Sequence, residues 1–184
     1  MKKIKTELFK KASDSKNLWS DEWISVKQTD GFTFVEQTKG NNGVAVLLYK
    51  QDGDKVFIAG RYEKNPPHKA DTQTLASLTG GVDKGNSIEE TAILESKEEA
   101  GVDIVIKDLI NLGTVFPWKS SAACQHLFAV DCNDKDLGEA EGDGSSFEEG
   151  AYCEWISIEE AIKSEDPILH ALILRAYQKD LFKI

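Results

Sequence analysis

The sequence predicts a mixed α/β (α+β) fold, a β-sheet sandwiched between helices, with a small β appendage at the N-terminus. Two apolar runs of strand length, Val44-Ala-Val-Leu-Leu-Tyr49 and Val56-Phe-Ile-Ala59, flank the turn signal Asp52-Gly53. A capped helical segment follows at 88–100, then strand-like runs at 112–116, 126–131 and 152–156, then two helical stretches. The order β, β, α, β, β, β, α, α departs from the regular alternation of a doubly wound fold.

Each element has a local reason. Between residues 16 and 42, Trp23-Ile-Ser-Val26 and Phe32-Thr-Phe-Val35 read as short strands joined by the hairpin signal Asp30-Gly31. Lys39-Gly-Asn-Asn-Gly43 is the expected boundary between an N-terminal β segment (1–42) and a main domain (43–184). The second strand of the main domain ends at Arg61, and 63–74, with Pro66-Pro67, reads as a polar loop. Ser157 and Glu160 form a capping-box pattern for a short helix. Beyond Pro167, the apolar residues Ile168, Leu169, Leu172, Ile173, Ala176, Tyr177 and Leu181 recur at helical spacing, as in a helix laid on a sheet.

A chain of 184 residues, 40% hydrophobic, can bury a real core. No apolar run approaches the ~18 residues of a membrane span, and the lysine-bearing start has no apolar stretch behind it, so a cytoplasmic address and no membrane partner are expected. Cys124, Cys132 and Cys153 lack metal-site or disulfide spacing. His68, His126 and His170 show no ligand spacing either. The net charge of −10 disfavours nucleic acid. With only two arginines, Arg61 and Arg175, a chain that acts on a polyanion needs positive charge from elsewhere, and a bound metal would supply it.

The chemistry concentrates in residues 80–102. Ser87 and Glu90 form a capping box and Gly101 stands at a helix C-terminus. Glu95, Glu98 and Glu99 share one side of the helix, with small residues Ala92, Ser96 and Ala100 beside them. Like charges at these spacings repel, and Lys97 projects away from them. A hard divalent cation would neutralise them, Mg²⁺ being usual where phosphates also ligate. Acidic helix faces are more often merely solvated; the preceding glycine loop, Gly80-Gly81-x-Asp83-x-Gly85, sets this one apart.

This segment resembles the Nudix box, Gly-x5-Glu-x7-Arg-Glu-U-x-Glu-Glu-x-Gly-U, where U is a bulky apolar residue. Without gaps, Gly80 is the box glycine, Glu95, Glu98 and Glu99 are the helix glutamates, and Gly101-Val102 ends the box. The resemblance implies the Nudix fold and a metal site of Glu95, Glu98, Glu99 and Gly80 that holds Mg²⁺, with Mn²⁺ as a substitute. Three positions depart: Asn86 for the box Glu, Leu94 for the box Arg, and Ser96 for the U. In the family the arginine helps orient a metal-binding glutamate, so Leu94 forgoes a charge-assisted hydrogen bond of about 1.5–3 kcal/mol. Weakened or altered catalysis is the expectation.

Pro117, fifteen residues past Val102, is similar in placement to a proline of Nudix enzymes that act on ADP-ribose and related nucleotide sugars. The N-terminal hairpin resembles the β segment through which ADP-ribose pyrophosphatases dimerise, which implies a homodimer. An acidic loop, Ser146-Phe-Glu-Glu-Gly150, matches the one that supplies a catalytic base there, Glu149 first and Glu148 as alternate, with Glu98 a further catalytic candidate. Phe116, Pro117 and Trp118 are candidates for substrate binding, and Arg61 for a phosphate. Plain alternatives stand beside these: Pro117 as a strand breaker, the aromatics as core, Glu148 and Glu149 as loop charges, and Arg61 in a surface ion pair. The expected activity is Mg²⁺-dependent hydrolysis of a diphosphate linkage in a nucleotide sugar such as ADP-ribose. The alternatives are a non-catalytic nucleotide-binding module, or a hydrolase of nucleoside triphosphates or dinucleotide polyphosphates.

Overall fold

The run Gly-Val-Ala-Val-Leu-Leu-Tyr carries no charged side chain, which suits a strand covered on both faces. In the computed structural model, which describes residues 15–65, 67, 70–83, 85–141 and 150–183, this run is the centre of the molecule. It lies in β4 (Asn42–Asp52), which pairs in parallel with β9 (Cys124–Asp131) and antiparallel with β5 (Lys55–Asn65) and β7 (Leu78–Gly81). With β6 (Ala70–Ala76), β8 (Ile110–Val115) and β10 (Tyr152–Ser157), these form a mixed seven-stranded sheet of order β10-β5-β4-β9-β8. There β6 extends β5, and β7 flanks the first half of β4.

The two faces of β4 divide the core. Val44, Val46 and Leu48 pack with Leu78, Phe128 and Val130 under α1 (Ile88–Ala100). Ala45, Leu47 and Tyr49 pack with Leu127 and Ala129 beneath α2 (Ile158–Ala161) and α3 (Pro167–Gln178). The expected sandwich is present, and the stripe Leu169, Leu172, Ile173 and Ala176 is its α3 contribution. Asp166 caps α3 by accepting from the Ile168 N–H at 2.7 Å, while its other oxygen accepts from the Ser77 N–H and hydroxyl at 2.7 and 2.6 Å. One carboxylate thus pins this helix to the β6–β7 junction.

Residues 16–37 form a separate antiparallel sheet, β1 (Lys16–Ser20), β2 (Ile24–Thr29) and β3 (Phe32–Gln37). Its β2–β3 turn has both Asp30 (φ 49°) and Gly31 (φ 81°) in the left-handed region, the geometry Asp-Gly favours in a two-residue hairpin. Contact with the main body runs through Val35, which donates to Ser120 O and accepts from the Ala122 N–H, each at 2.8 Å.

The expected loop at 63–74 is the main departure. β5 continues to Asn65 and returns as β6, with Arg61 opposite Ala76 and Lys64 opposite Gln73. This hairpin is polar because it runs past the core, so its strand character rests on backbone pairing that side-chain pattern does not reveal. The four-residue β7, half glycine, went equally unmarked.

The ends of α1 match their local signals. Ser87 Oγ accepts from the Glu90 N–H at 3.1 Å and Glu90 Oε2 accepts from the Ser87 N–H at 2.7 Å. Gly101 closes the helix at φ 64°, and a Cβ there would stand 2.6 Å from the Gly138 backbone. Gly101→Ala is therefore expected to lower the unfolding free energy by about 1–3 kcal/mol, measured by urea denaturation.

Candidate active site

α1 lies close against the sheet because Ala92, Ser96 and Ala100 are fully buried, with Ser96 Oγ turned back onto Ala92 O at 2.8 Å. That small-residue face determines where the neighbouring glutamates go. Glu95 extends over β7, and its carboxylate fills the place where Gly80 has no side chain: a Cβ on Gly80 would fall 1.6 Å from Glu95 Oε1. Glu99 points inward and is only 4% exposed. Its Oε2 accepts from the Thr79 N–H at 2.9 Å, and its Oε1 lies 3.2 Å from Arg61 Nε. Glu98 is half-buried.

Arg61 is the feature that sequence reasoning placed differently. Instead of a surface pair, it is 1% exposed, on β5 between Cys153 of β10 and Ala76 of β6. Its Nε–H donates to Glu63 Oε2 at 2.8 Å, and Nη1 reaches Glu99 O at 3.5 Å. Cys153 Sγ also donates to Glu99 O, at 3.2 Å. Burial pushes the Glu99 carboxyl well above the usual carboxylate range, against the pull of Arg61; Glu95 and Glu63 push it further up, and the Thr79 N–H helps hold it down. A cleft of about 1030 Å³ opens between β6 and residues 160–168; its lining includes Tyr62, Glu63, Ser77, Thr79, Lys163 and Asp166, but not Gly80, Glu95, Glu98 or Glu99.

The NUDIX domain family model matches residues 40–177, three quarters of the chain. The chain belongs to the NUDIX domain family. It is similar to a MutT/nudix family protein of Enterococcus faecalis, at 15% identity and a TM-score of 0.47 over 82% of this chain. The chain spans 49%, about half, of that protein's length. Curated proteins contain no match.

In this NUDIX chain the box departures have visible consequences. Leu94 is 44% exposed and carries no charge, while the guanidinium beside Glu99 comes from β5. Lys97 turns away from the glutamates to Asp103, at 3.1 Å, as its position on the helix suggested. Phe116, Pro117 and Trp118 follow β8, which ends the strand order on the side away from β5 and Arg61. Trp118 is 66% exposed and Phe116 is exposed too, so neither is core. Glu148 and Glu149 lie outside the described residues, as does His68. Sequence reasoning missed Glu63, Thr79 and the Tyr62–Tyr152 stack, whose ring centroids are 5.0 Å apart. Only the same-face i,i+2 spacing of Arg61 and Glu63 on a strand could have signalled one of them.

Carboxylate oxygens are the donors that Mg²⁺ or Mn²⁺ takes, and the bare Gly80 backbone leaves the room in which Glu95 lies. The donor set fits such an ion in chemical type. Among the described residues, no three acidic, histidine or cysteine side chains converge on one point as they stand, because Glu99 is drawn toward Arg61 and Thr79. Gly80→Ala is expected to keep the fold, since the Glu95 carboxylate can swing aside, and to weaken Mn²⁺ binding about tenfold or more by electron paramagnetic resonance. Unchanged affinity would show that Glu95 takes no part in holding the ion.

Proposed function

We propose that this NUDIX chain hydrolyses the diphosphate linkage of a nucleoside diphosphate joined to another group, with ADP-ribose or another nucleotide sugar as substrate and Mg²⁺ as cofactor. The observation that carries this reading is the packing of Glu95 over Gly80 beside buried Glu99 on the box helix. A cleft of about 1030 Å³, lined by β6 and residues 160–168 and touching the box region through Glu63 and Thr79, opens at the same sheet edge. That volume suits a nucleotide-sized ligand. Glu95, Glu98 and Glu99, with Gly80, would hold the ion. When bound, the ion would neutralise phosphate oxygens and lower the pKa of an attacking water.

The chain's own groups would do the rest. Glu98 or a carboxylate of the acidic loop, Glu149 before Glu148, would take the proton of the attacking water. Lys163 on the cleft wall would supply positive charge to a phosphate. Phe116, Pro117 and Trp118, lying far across the sheet, would reach only an extended substrate. Arg61 would meet a phosphate only through a guanidinium already shared by Glu63 and Glu99. In a nucleotide-sugar panel with Mg²⁺, Glu95→Gln and Glu98→Gln are each expected to cut kcat by about 100-fold or more. Untouched turnover would sink the mechanism.

A second reading, a nucleotide-binding module, draws on exposed Leu94 and on the Glu99–Arg61 pair. It would show nucleotide-dependent thermal stabilisation without product. We further propose that residues 1–42 are an appendage to the 43–184 domain and carry a homodimer contact, supported by the exposed Leu18, Trp19, Trp23 and Phe32. Sedimentation velocity is expected to give twice the chain mass, and monomers on Trp19→Ser/Trp23→Ser substitution. A wild-type monomer at micromolar concentration would remove the dimer.

A further inference from the structure

The cleft between β6 and residues 160–168 lies outside the box, and its walls carry a charge of their own. Among the described residues of its lining, four carboxylates, Glu63, Glu160, Glu165 and Asp166, stand against one ammonium, Lys163. Arg61 offsets Glu63 at 2.8 Å. Asp166 is satisfied by neutral donors, the Ser77 N–H and hydroxyl and the Ile168 N–H, which hold its charge in place without cancelling it. Three carboxylates therefore still outnumber a single lysine. The rest of the described lining is uncharged, with hydroxyls such as Thr72 and Thr74 beside apolar Leu75 and Ile168.

The charged wall is fixed in place. Ser164 Oγ donates to Leu75 O at 2.7 Å and accepts from the Asp166 N–H at 3.0 Å. The 160–168 segment is thus tied to β6 as well as to Ser77, and cannot retreat from an incoming anion. Its field also crosses the opening. On the β5 side, the Tyr62 hydroxyl is pushed up first by burial and then by the Glu160 and Glu154 carboxylates. Clefts lined by one sign of charge focus such a field.

Building on the hydrolase reading above, we infer that this cleft is a charge filter on the substrate. It admits an uncharged group flanking the diphosphate, a neutral sugar or nucleoside, and rejects one that bears a further phosphate or carboxylate. Glu160 and Glu165 are its specificity-determining residues. Thr79, which donates to Glu99, and Glu63, which pairs with Arg61, line the cleft, so a diphosphate held at the box sends one flanking group this way. Lys163 is matched to the diphosphate itself, and a second anion meets carboxylates alone. Carboxylates accept hydrogen bonds from sugar hydroxyls, so the wall that repels an anion suits a neutral polyol. Like-charge juxtaposition acts here against the wrong ligand rather than for the right one.

The test uses the full chain, Mg²⁺ and two pairs of substrates, each pair differing by one anionic group. UDP-glucose and UDP-glucuronate vary the sugar end; ADP-ribose and its 2′-phosphate vary the nucleoside end. The pair whose varied end enters the cleft is expected to show kcat/KM about tenfold or more higher for its less charged member at low salt. Two changes are expected to shrink that ratio about threefold or more: Glu160→Gln/Glu165→Gln, and salt raised to about 0.5 M. The double variant acts through a gain on the more charged member, which misfolding cannot produce. Ratios within about twofold of unity in both pairs would overturn the inference and leave the hydrolase standing. A preference that ignores both the double variant and salt would overturn it too, as the mark of rejection by shape. If none of the four is hydrolysed, the hydrolase reading falls, and Kd by isothermal titration calorimetry decides the filter. Tighter binding of a less charged member, relaxed by the double variant, would then uphold it; equal affinities or no binding would overturn it as well.

Discussion

The buried carboxylate of Glu99 is the constraint around which the rest of the site is arranged. It belongs to the helix, yet its two oxygens are engaged by the sheet, one by the Thr79 N–H of β7 and one by Arg61 of β5. Burial alone would drive this group to take up a proton; the guanidinium and the backbone donor pull the other way. The same contacts seat α1 over the sheet, so the geometry of the glutamates is coupled to the packing of Ala92, Ser96 and Ala100. Moving the helix by one residue would put small residues where carboxylates are needed and carboxylates into the core.

The acidity of the molecule makes sense in this light. A net charge of −10 repels polyanions in bulk, and under the proposed function a bound cation would offset that repulsion. The chain has two arginines, and one, Arg61, is buried and pairs with Glu63 and Glu99. On the cleft wall Lys163 stands among Glu63, Glu160, Glu165 and Asp166. A divalent ion is the economical complement to such a surface.

The sheet also places two of the glutamates of this divergent box. Gly80 at the end of β7 makes room for Glu95, and a strand neighbour supplies the charge next to Glu99 that Leu94 lacks. The cleft edge is fixed separately, by Asp166 binding Ser77 twice from the start of α3. Helix, strand and cleft wall therefore meet within β7 and its approach, residues 77–81.

The sequence by itself determined the elements whose signals are local. The Ser87–Glu90 capping box, the Gly101 terminator, the Asp30-Gly31 hairpin and the doubly buried β4 run all follow from backbone propensity and side-chain period, and the box glutamates could be named before any fold was known. Only the tertiary structure decided what those glutamates touch. That Arg61 is interior, that Thr79 caps Glu99, and that Phe116 and Trp118 lie across the sheet depend on pairings between segments far apart in the chain, within which the Arg61–Glu63 contact on one strand is set. The strand hairpin hidden in the polar stretch after Arg61 was invisible for a related reason: its pairing is made by backbone groups, which every sequence carries alike.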